Sequence, residues 1–274
     1  MRLPHFSTTW KLTAGLFASL ALATPASAQL SGVSILNITG ITESSLTDGN
    51  MAQARGVLTG AGASITDVAI GSFSASNLLG IDVLYVGLVN NGFTDGQVTT
   101  IGDYVRGGGG IVAVGTERAC CFGPSWEEII NELGFSGLGG DREENALPTD
   151  PTSPIVDGPF GVATDYEPSA TGAFNPGSLP PGTNVVWEGV DGNPIIVTLD
   201  TGGRAFFFAD TNFMEDPYIG DGHNRTIWGN AFAFTGRVDG AVPEPGTWAM
   251  LLIGFAGLGA AMRRSKRKTI MAFS

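Results

Sequence analysis

Apolar runs alternate with amphipathic segments through the first half of the chain. Several of these runs are apolar on both faces, as strands buried in a parallel sheet are, namely 34–38, 82–88 and 111–114. Thr94 and Gln97 form a capping-box pattern at the start of a segment with helical apolar spacing. Alternation of this kind predicts βαβ units joined by right-handed crossovers.

Two further helices are predicted in the same half. The first follows an expected N-cap at Asp48, has Met51, Ala54 and Leu58 at helical spacing, and stops at Gly60, which is expected in the left-handed conformation that commonly follows a helix. The other begins at a second capping pattern, Ser125 with Glu128, and ends at Gly134.

The second half of the chain has a different character. Residues 137–182 are rich in Pro, Gly, Asp, Ser and Thr and lack periodicity, which indicates a long irregular segment. The apolar runs 194–199 and 204–209 then flank a Gly-containing turn, the pattern of an antiparallel hairpin. A last helix is predicted from about residue 224 to residue 236. We therefore expect one α/β domain over 29–240, a flavodoxin-like three-layer sandwich with a mostly parallel sheet and a late antiparallel hairpin.

Residues 1–28 have the three-part pattern of a secretory signal peptide. A basic n-region is followed by an apolar run at 12–23 and by a small-x-small site, Ala-Ser-Ala, at 26–28. We expect cleavage to leave Gln29 as the first residue, with this signal helix outside the folded domain.

The end of the chain, 242–268, carries a second targeting signal. A Pro-Glu-Pro element comes first, the apolar run 247–262 follows, and a basic cluster closes the pattern. The run is just long enough to predict a transmembrane helix, and the cations after it should stay on the cytoplasmic side. The defining residues are Pro243, Glu244, Pro245, Arg263 and Arg264.

This tail resembles the PEP-CTERM sorting signal of Gram-negative bacteria. The resemblance implies an exosortase as partner, cleavage near the Pro-Glu-Pro element, and a precursor anchored in the inner membrane. It also implies a final place at the cell surface or in the extracellular matrix, in a setting of biofilm and extracellular polysaccharide.

Charge narrows the range of partners. Setting aside the signal peptide and the tail, the body holds 7 basic residues, all Arg, and 25 acidic residues, a net charge of −18. Such a field repels nucleic acid, so we expect no nucleic-acid partner. The chain has only two cysteines, Cys120 and Cys121, which are adjacent and cannot cross-link distant segments.

The body also resembles the class I glutamine amidotransferase-like superfamily. The resemblance is carried by 82–88, by the Tyr-Val-Arg-Gly-Gly-Gly-Gly-Ile run at 104–111, and by 202–213 with the helix after it. In that superfamily a nucleophilic Cys stands on a sharp turn directly after a central strand. Here Glu117 occupies that turn, and no His-x-Glu partner follows. The resemblance therefore implies the fold, and it does not carry amidotransferase chemistry over to this chain.

A displaced nucleophile is an alternative. His223 is the histidine that the mature body retains, and it precedes the last helix. Cys120 or Cys121 could meet it at the carboxyl edge of the sheet as a thiolate with its base, with Glu117 nearby. The competing interpretation makes His223 a loop residue and leaves the cysteines inert or joined to each other.

A binding module is the third hypothesis. Oxygen ligands suited to Ca²⁺ fall on loops expected at the same edge, although no EF-hand pattern is present. The candidate ligands are Asp210, Asn212, Asp216 and Asp221. Aromatic residues that could stack on sugar rings are Trp126, Tyr166, Trp187 and Tyr218. Our leading expectation is a non-enzymatic exported protein with no cofactor, on an amidotransferase-like scaffold that has lost its nucleophile.

Overall fold

The computed structural model describes residues 29–90, 92–115, 124–136, 138–139, 147–167 and 171–237. The predicted signal peptide, the sorting signal and its transmembrane helix lie outside these ranges, as do Glu117, Cys120 and Cys121. None of the helices in the described ranges is long and apolar enough to cross a membrane.

The secondary structure of the described ranges follows the alternation of the sequence. The α-helices are α1 Ala52–Gly60, α2 Asp95–Arg106, α3 Pro124–Glu132 and α4 Asn224–Thr235. Short 3-10 helices cover Gly49–Met51, Ile70–Ser72, Ala75–Leu78 and Pro176–Ser178. The strands of the first half are β1 Ser34–Thr39, β2 Ser64–Ala69, β3 Val83–Val86 and β4 Gly110–Val114. Those of the second half are β5 Leu138–Gly139, β6 Leu147–Pro148, β7 Asp157–Gly158, β8 Gly161–Val162, β9 Ala173–Phe174, β10 Thr183–Glu188, β11 Pro194–Thr201 and β12 Gly203–Phe208.

Eight of these strands form one sheet in the order β2-β1-β3-β4-β12-β11-β10-β6. Neighbouring strands are parallel in the part of the sheet from β2 to β12. The remaining pairs, β12 with β11, β11 with β10 and β10 with β6, are antiparallel. The predicted adjacency of 82–88 and 111–114 is confirmed, with Tyr85 opposite Val112. The hairpin is confirmed as well, and its second strand returns to the centre of the sheet beside β4.

Helices cover both faces of the sheet, so the molecule has three layers. Leu84 packs with Ile101 and Ile129 on the face covered by α2 and α3. Val112 packs with Met51 and Trp228 on the face covered by α1 and α4. Leu84 and Val112 are fully buried, as the two-faced apolar pattern of their strands predicts. The architecture is consistent with a flavodoxin-like fold.

A local capping signal sets the start of α2. At the start of α2 the Thr94 hydroxyl accepts from the Gln97 amide at 3.3 Å, while the Thr94 amide donates to Gln97 Oε1 at 2.9 Å. The prediction for Gly60 is wrong. Gly60 is the last residue of α1, and the left-handed conformation falls two residues later, at Gly62 with φ 95°.

The irregular segment is tied to the last helix by a buried amide. Asn230 of α4 accepts from the Phe160 amide at 2.9 Å and donates to the carbonyls of Ile155 and Gly161 at 3.0 and 3.1 Å. Three hydrogen bonds from one side chain hold this part of the segment against the α1/α4 face, which explains how a stretch without periodicity becomes ordered.

The loops of the sheet gather at two edges. The carboxyl edge comprises 40–51, 87–90, 92–94, 115 and 209–223, which follow the ends of parallel strands. The amino edge comprises 29–33, 61–63, 79–82, 107–109, 201–202 and 236–237, at the opposite ends of the same strands.

Candidate functional site

The carboxyl edge is where the loops after β1, β3 and β12 lie, beside Gly115 at the end of β4. Phe208 pairs with Val114, and the Gly115 amide donates to the Phe208 carbonyl at 2.8 Å. The segments that follow β4 and β12 therefore start side by side, as their parallel pairing predicts. Ligands of open α/β sheets bind at such edges.

Asp210, directly after β12, is the most deeply buried acid of this edge. Its Oδ2 accepts from the Tyr166 hydroxyl and from Thr171 Oγ1, the latter at 3.1 Å, and its Oδ1 accepts from the Asn212 amide at 2.7 Å. Burial, and then the Asp210 charge, hold the pKa of Tyr166 well above its usual value. Tyr166 therefore stays protonated, and its hydroxyl donates to Asp210.

Glu215 lies on the same loop and is only 7% exposed. Its Oε1 has no hydrogen-bond partner among the described residues. Burial is the main reason that the pKa of Glu215 is raised, and the carboxylates of Glu43 and Asp210 raise it further. Hydrogen bonds from Asn212 and Asn50 oppose that rise. Glu215 therefore keeps its proton to a higher pH than an exposed glutamate does.

The loop after β1 is pressed against the end of β3. Ser44 is fully buried in the left-handed region at φ 62°, and its carbonyl accepts from the Tyr85 hydroxyl at 2.6 Å. A Cβ on Gly87 would stand 2.7 Å from the Glu43 and Ser44 carbonyl oxygens, so only glycine fits there. Strained, crowded backbone of this kind fixes the position from which Glu43 approaches Glu215.

His223 occupies the N-cap position of α4, with a side chain that is 36% exposed. It is a partly exposed residue at the junction of the preceding loop and the helix. Its Nδ1 contacts Asp165 Oδ1, a residue that the sequence did not single out. Cys120, Cys121 and Glu117 lie outside the described residues, so their relation to His223 stays a prediction.

The proposed calcium ligands do not converge in the described part of the chain. Asp210 and Asn212 are joined by a hydrogen bond, but Asp216 accepts from the Gln53 amide at 2.8 Å and so anchors the start of α1. Asp221 is exposed. Across the described ranges no three His, Cys, Asp or Glu side chains are grouped so as to hold a metal ion.

Burial also corrects the carbohydrate-stacking candidates. Trp126, Trp187 and Tyr166 are buried, and Tyr166 is engaged with Asp210, so none of the three presents a face to a sugar. Tyr218 is the exposed member of the set. Apolar aromatic residues in strand and helix patterns are core residues far more often than binding platforms, and that signal was available in the sequence.

The tail matches a known motif. Residues 241–268 fit the family model described as the PEP-CTERM protein-sorting motif. The sorting signal expected from the sequence is therefore present, and it implies an exported protein that an exosortase processes. No curated protein matches the chain.

Solved structures resemble the body in fold. A cytoplasmic protein from Salmonella typhimurium LT2 aligns with a TM-score of 0.55 at 16% identity, covering 74% of this chain and 99% of its own. A ThuA-like protein from Parabacteroides merdae ATCC 43184 aligns at 0.51 and 13%, covering 77% and 93%. The N-terminal domain of mmIFT52 aligns at 0.52 and 13%, covering 74% and 97%. At these identities the likeness shows the fold alone.

Proposed function

We propose that this chain is a cell-surface or extracellular-matrix protein whose α/β domain is a non-catalytic binding or structural module in an extracellular polysaccharide setting. The carrying observation is the match of 241–268 to the PEP-CTERM protein-sorting motif. An inner-membrane-anchored precursor, held by the apolar run 247–262, precedes release by the exosortase.

The carboxyl edge supports binding over catalysis. Asp210 accepts hydrogen bonds from three donors within the protein, and Asp216 accepts one from the start of α1. Carboxylates that accept internal hydrogen bonds in this way hold loops in position and are poor nucleophiles or bases.

Intact-mass measurement of the protein from the outer fraction of its own host tests the sorting step. We expect a species that begins at Gln29 and ends near Pro243–Pro245, and a longer species in a host that lacks the exosortase. A mature mass that retains Trp248 in the normal host would contradict the proposal and show the tail to be a permanent anchor.

A cysteine hydrolase is the second candidate, and the His223–Asp165 contact favours it. A carboxylate on Nδ1 orients an imidazole and leaves Nε2 as the base, the arrangement that activates thiols and hydroxyls in unrelated enzymes. The rate of alkylation of the reduced protein by iodoacetamide separates the two candidates. Under the leading proposal the thiols react as ordinary thiols, and His223→Ala changes nothing. Fast alkylation at pH 6 that His223→Ala abolishes would favour the hydrolase.

A further inference from the structure

Both ends of the described domain lie at the amino edge. The Leu30 amide donates to the Ala61 carbonyl at 2.9 Å, at the C-terminal end of α1. At the other end, a Cβ on Gly236 would stand 3.1 Å from Val33 Cγ1, and the Arg237 guanidinium donates to the Gly202 carbonyl. The segments that lead to the two export signals therefore leave the domain as neighbours.

The path from the domain to the predicted membrane span is short. Between Arg237 and the start of the apolar run 247–262 there are residues 238–246, which reach at most about 30 Å when fully extended. A domain of roughly 210 residues has a radius of gyration of about 17 Å, so it is about 40 Å across. A tether that starts at the amino edge is too short to pass around the domain and turn the carboxyl edge toward the bilayer.

The two edges also differ in charge, and this difference favours the same orientation as the short tether does. The segments of the carboxyl edge carry no Lys or Arg and six carboxylates, those of Glu43, Asp48, Asp210, Glu215, Asp216 and Asp221. The segments of the amino edge carry Asp82 and Arg237 and are neutral in sum. An anionic membrane surface repels the first edge and not the second.

Two exposed aliphatic side chains lie at opposite ends of the sheet. Leu79 at the amino edge is 81% exposed. Val190, in the turn between β10 and β11, is 70% exposed and lies at the carboxyl end of the sheet, because β10 runs in the same direction as β4. The two residues form a matched pair of apolar probes on opposite sides of the domain.

We propose that the amino edge of this domain is a membrane-facing surface, on which Leu79 contacts phospholipid while the sorting signal is still attached. The carboxyl edge, with Glu215 and His223, is turned away from the bilayer and toward external ligands. This inference rests on the proposed function in one respect, the membrane anchoring of the precursor.

Site-specific photo-crosslinking tests the orientation in the full chain. One variant replaces Leu79 and another replaces Val190 by benzoylphenylalanine, and each is inserted into phosphatidylethanolamine–phosphatidylglycerol vesicles that contain no exosortase. Flotation with the vesicles after carbonate extraction reports anchoring, and covalent lipid adducts after illumination report contact. Both positions are exposed, so neither replacement should affect folding.

We expect both variants to float, with several-fold more lipid adduct at position 79 than at position 190. Equal adduct at the two positions, or more at position 190, would overturn the orientation while leaving the anchored precursor intact. Failure of both variants to float would overturn the anchoring step of the proposed function, and the orientation with it.

Discussion

The two edges of the sheet are built from the same parallel strands, yet they differ in what they bring together. At the amino edge backbone packs on backbone. A Cβ on Gly203 would stand 2.0 Å from the Gly109 oxygen, and one on Gly110 would stand 2.3 Å from the Thr235 oxygen. The carboxyl edge instead gathers charged side chains on longer loops. One edge closes the fold and the other presents chemistry, the division expected of open α/β sheets.

The largest loss of stability is expected from a substitution in the core between the two edges. Leu84→Ala removes a fully buried side chain from β3 and should lower the free energy of unfolding by about 2–5 kcal/mol. Urea denaturation followed by tryptophan fluorescence measures it. Val190→Ala is the exposed control, with an expected change within about 0.5 kcal/mol. Similar losses for both variants would mean that the central position of β3 is misassigned.

The amino edge should be intolerant of added volume. Gly110→Ala places a methyl group against the Thr235 and Asp82 carbonyl oxygens, and we expect a loss of about 1–3 kcal/mol because backbone cannot move aside as a side chain does. Gly56→Ala, at an exposed helical position with open space, should instead stabilise by roughly 0.5–1 kcal/mol. Tolerance of Gly110→Ala would contradict the close packing of this edge.

The carboxyl edge should gain stability when its buried acid is neutralised. Glu215→Gln removes a poorly partnered charge that faces the carboxylates of Glu43 and Asp210 and the Tyr85 phenol. We expect the melting temperature at pH 7 to rise by about 2–4 °C, the shift that 1 kcal/mol produces in a domain of this size.

The same variant should change the pH dependence of stability. The pKa of Glu215 is raised on folding, so the folded chain binds more protons than the unfolded chain between the ordinary and the raised pKa. Stability due to this group is therefore lost as pH rises through that window, and Glu215→Gln should flatten the profile. Glu128→Gln on α3 is the control for a simple change of net charge.

The hypothesis of calcium binding at the carboxyl edge has its own test. Millimolar calcium is added to the wild-type protein and the Tm is measured; a rise in Tm that Asp210→Asn abolishes would support the hypothesis.

The smallest effect is expected at the exposed histidine. His223→Ala removes a half-exposed contact with Asp165, and such surface pairs contribute about 0–1 kcal/mol. Chemical denaturation at pH 6 and at pH 8 measures the change. A loss comparable to that of Leu84→Ala would show that the pair organises the edge.

The strands, helices and export signals could be predicted from the sequence because each rests on residues close together in the chain. The capping box of Thr94 with Gln97 needs two positions three residues apart, and the two-faced apolar run of β3 needs four. The prediction of a left-handed conformation at Gly60 was wrong because a helix end can move by two residues at little cost in free energy. Trp126 and Trp187 lie in the patterns of α3 and β10, and that placement already favoured burial over a sugar-binding role.

The sequence by itself determined that this chain is exported, carries a sorting signal and forms a mostly parallel α/β sheet. Only the tertiary structure decided which side chains contact one another at the carboxyl edge. Asp210 meets Tyr166 across 44 residues, and His223 meets Asp165 across 58. Those contacts depend on the paths of long loops. Tertiary packing sets these paths, and short-range sequence patterns do not encode them. The raised pKa of Glu215 has the same origin, because burial and neighbouring charges exist only once distant segments have come together.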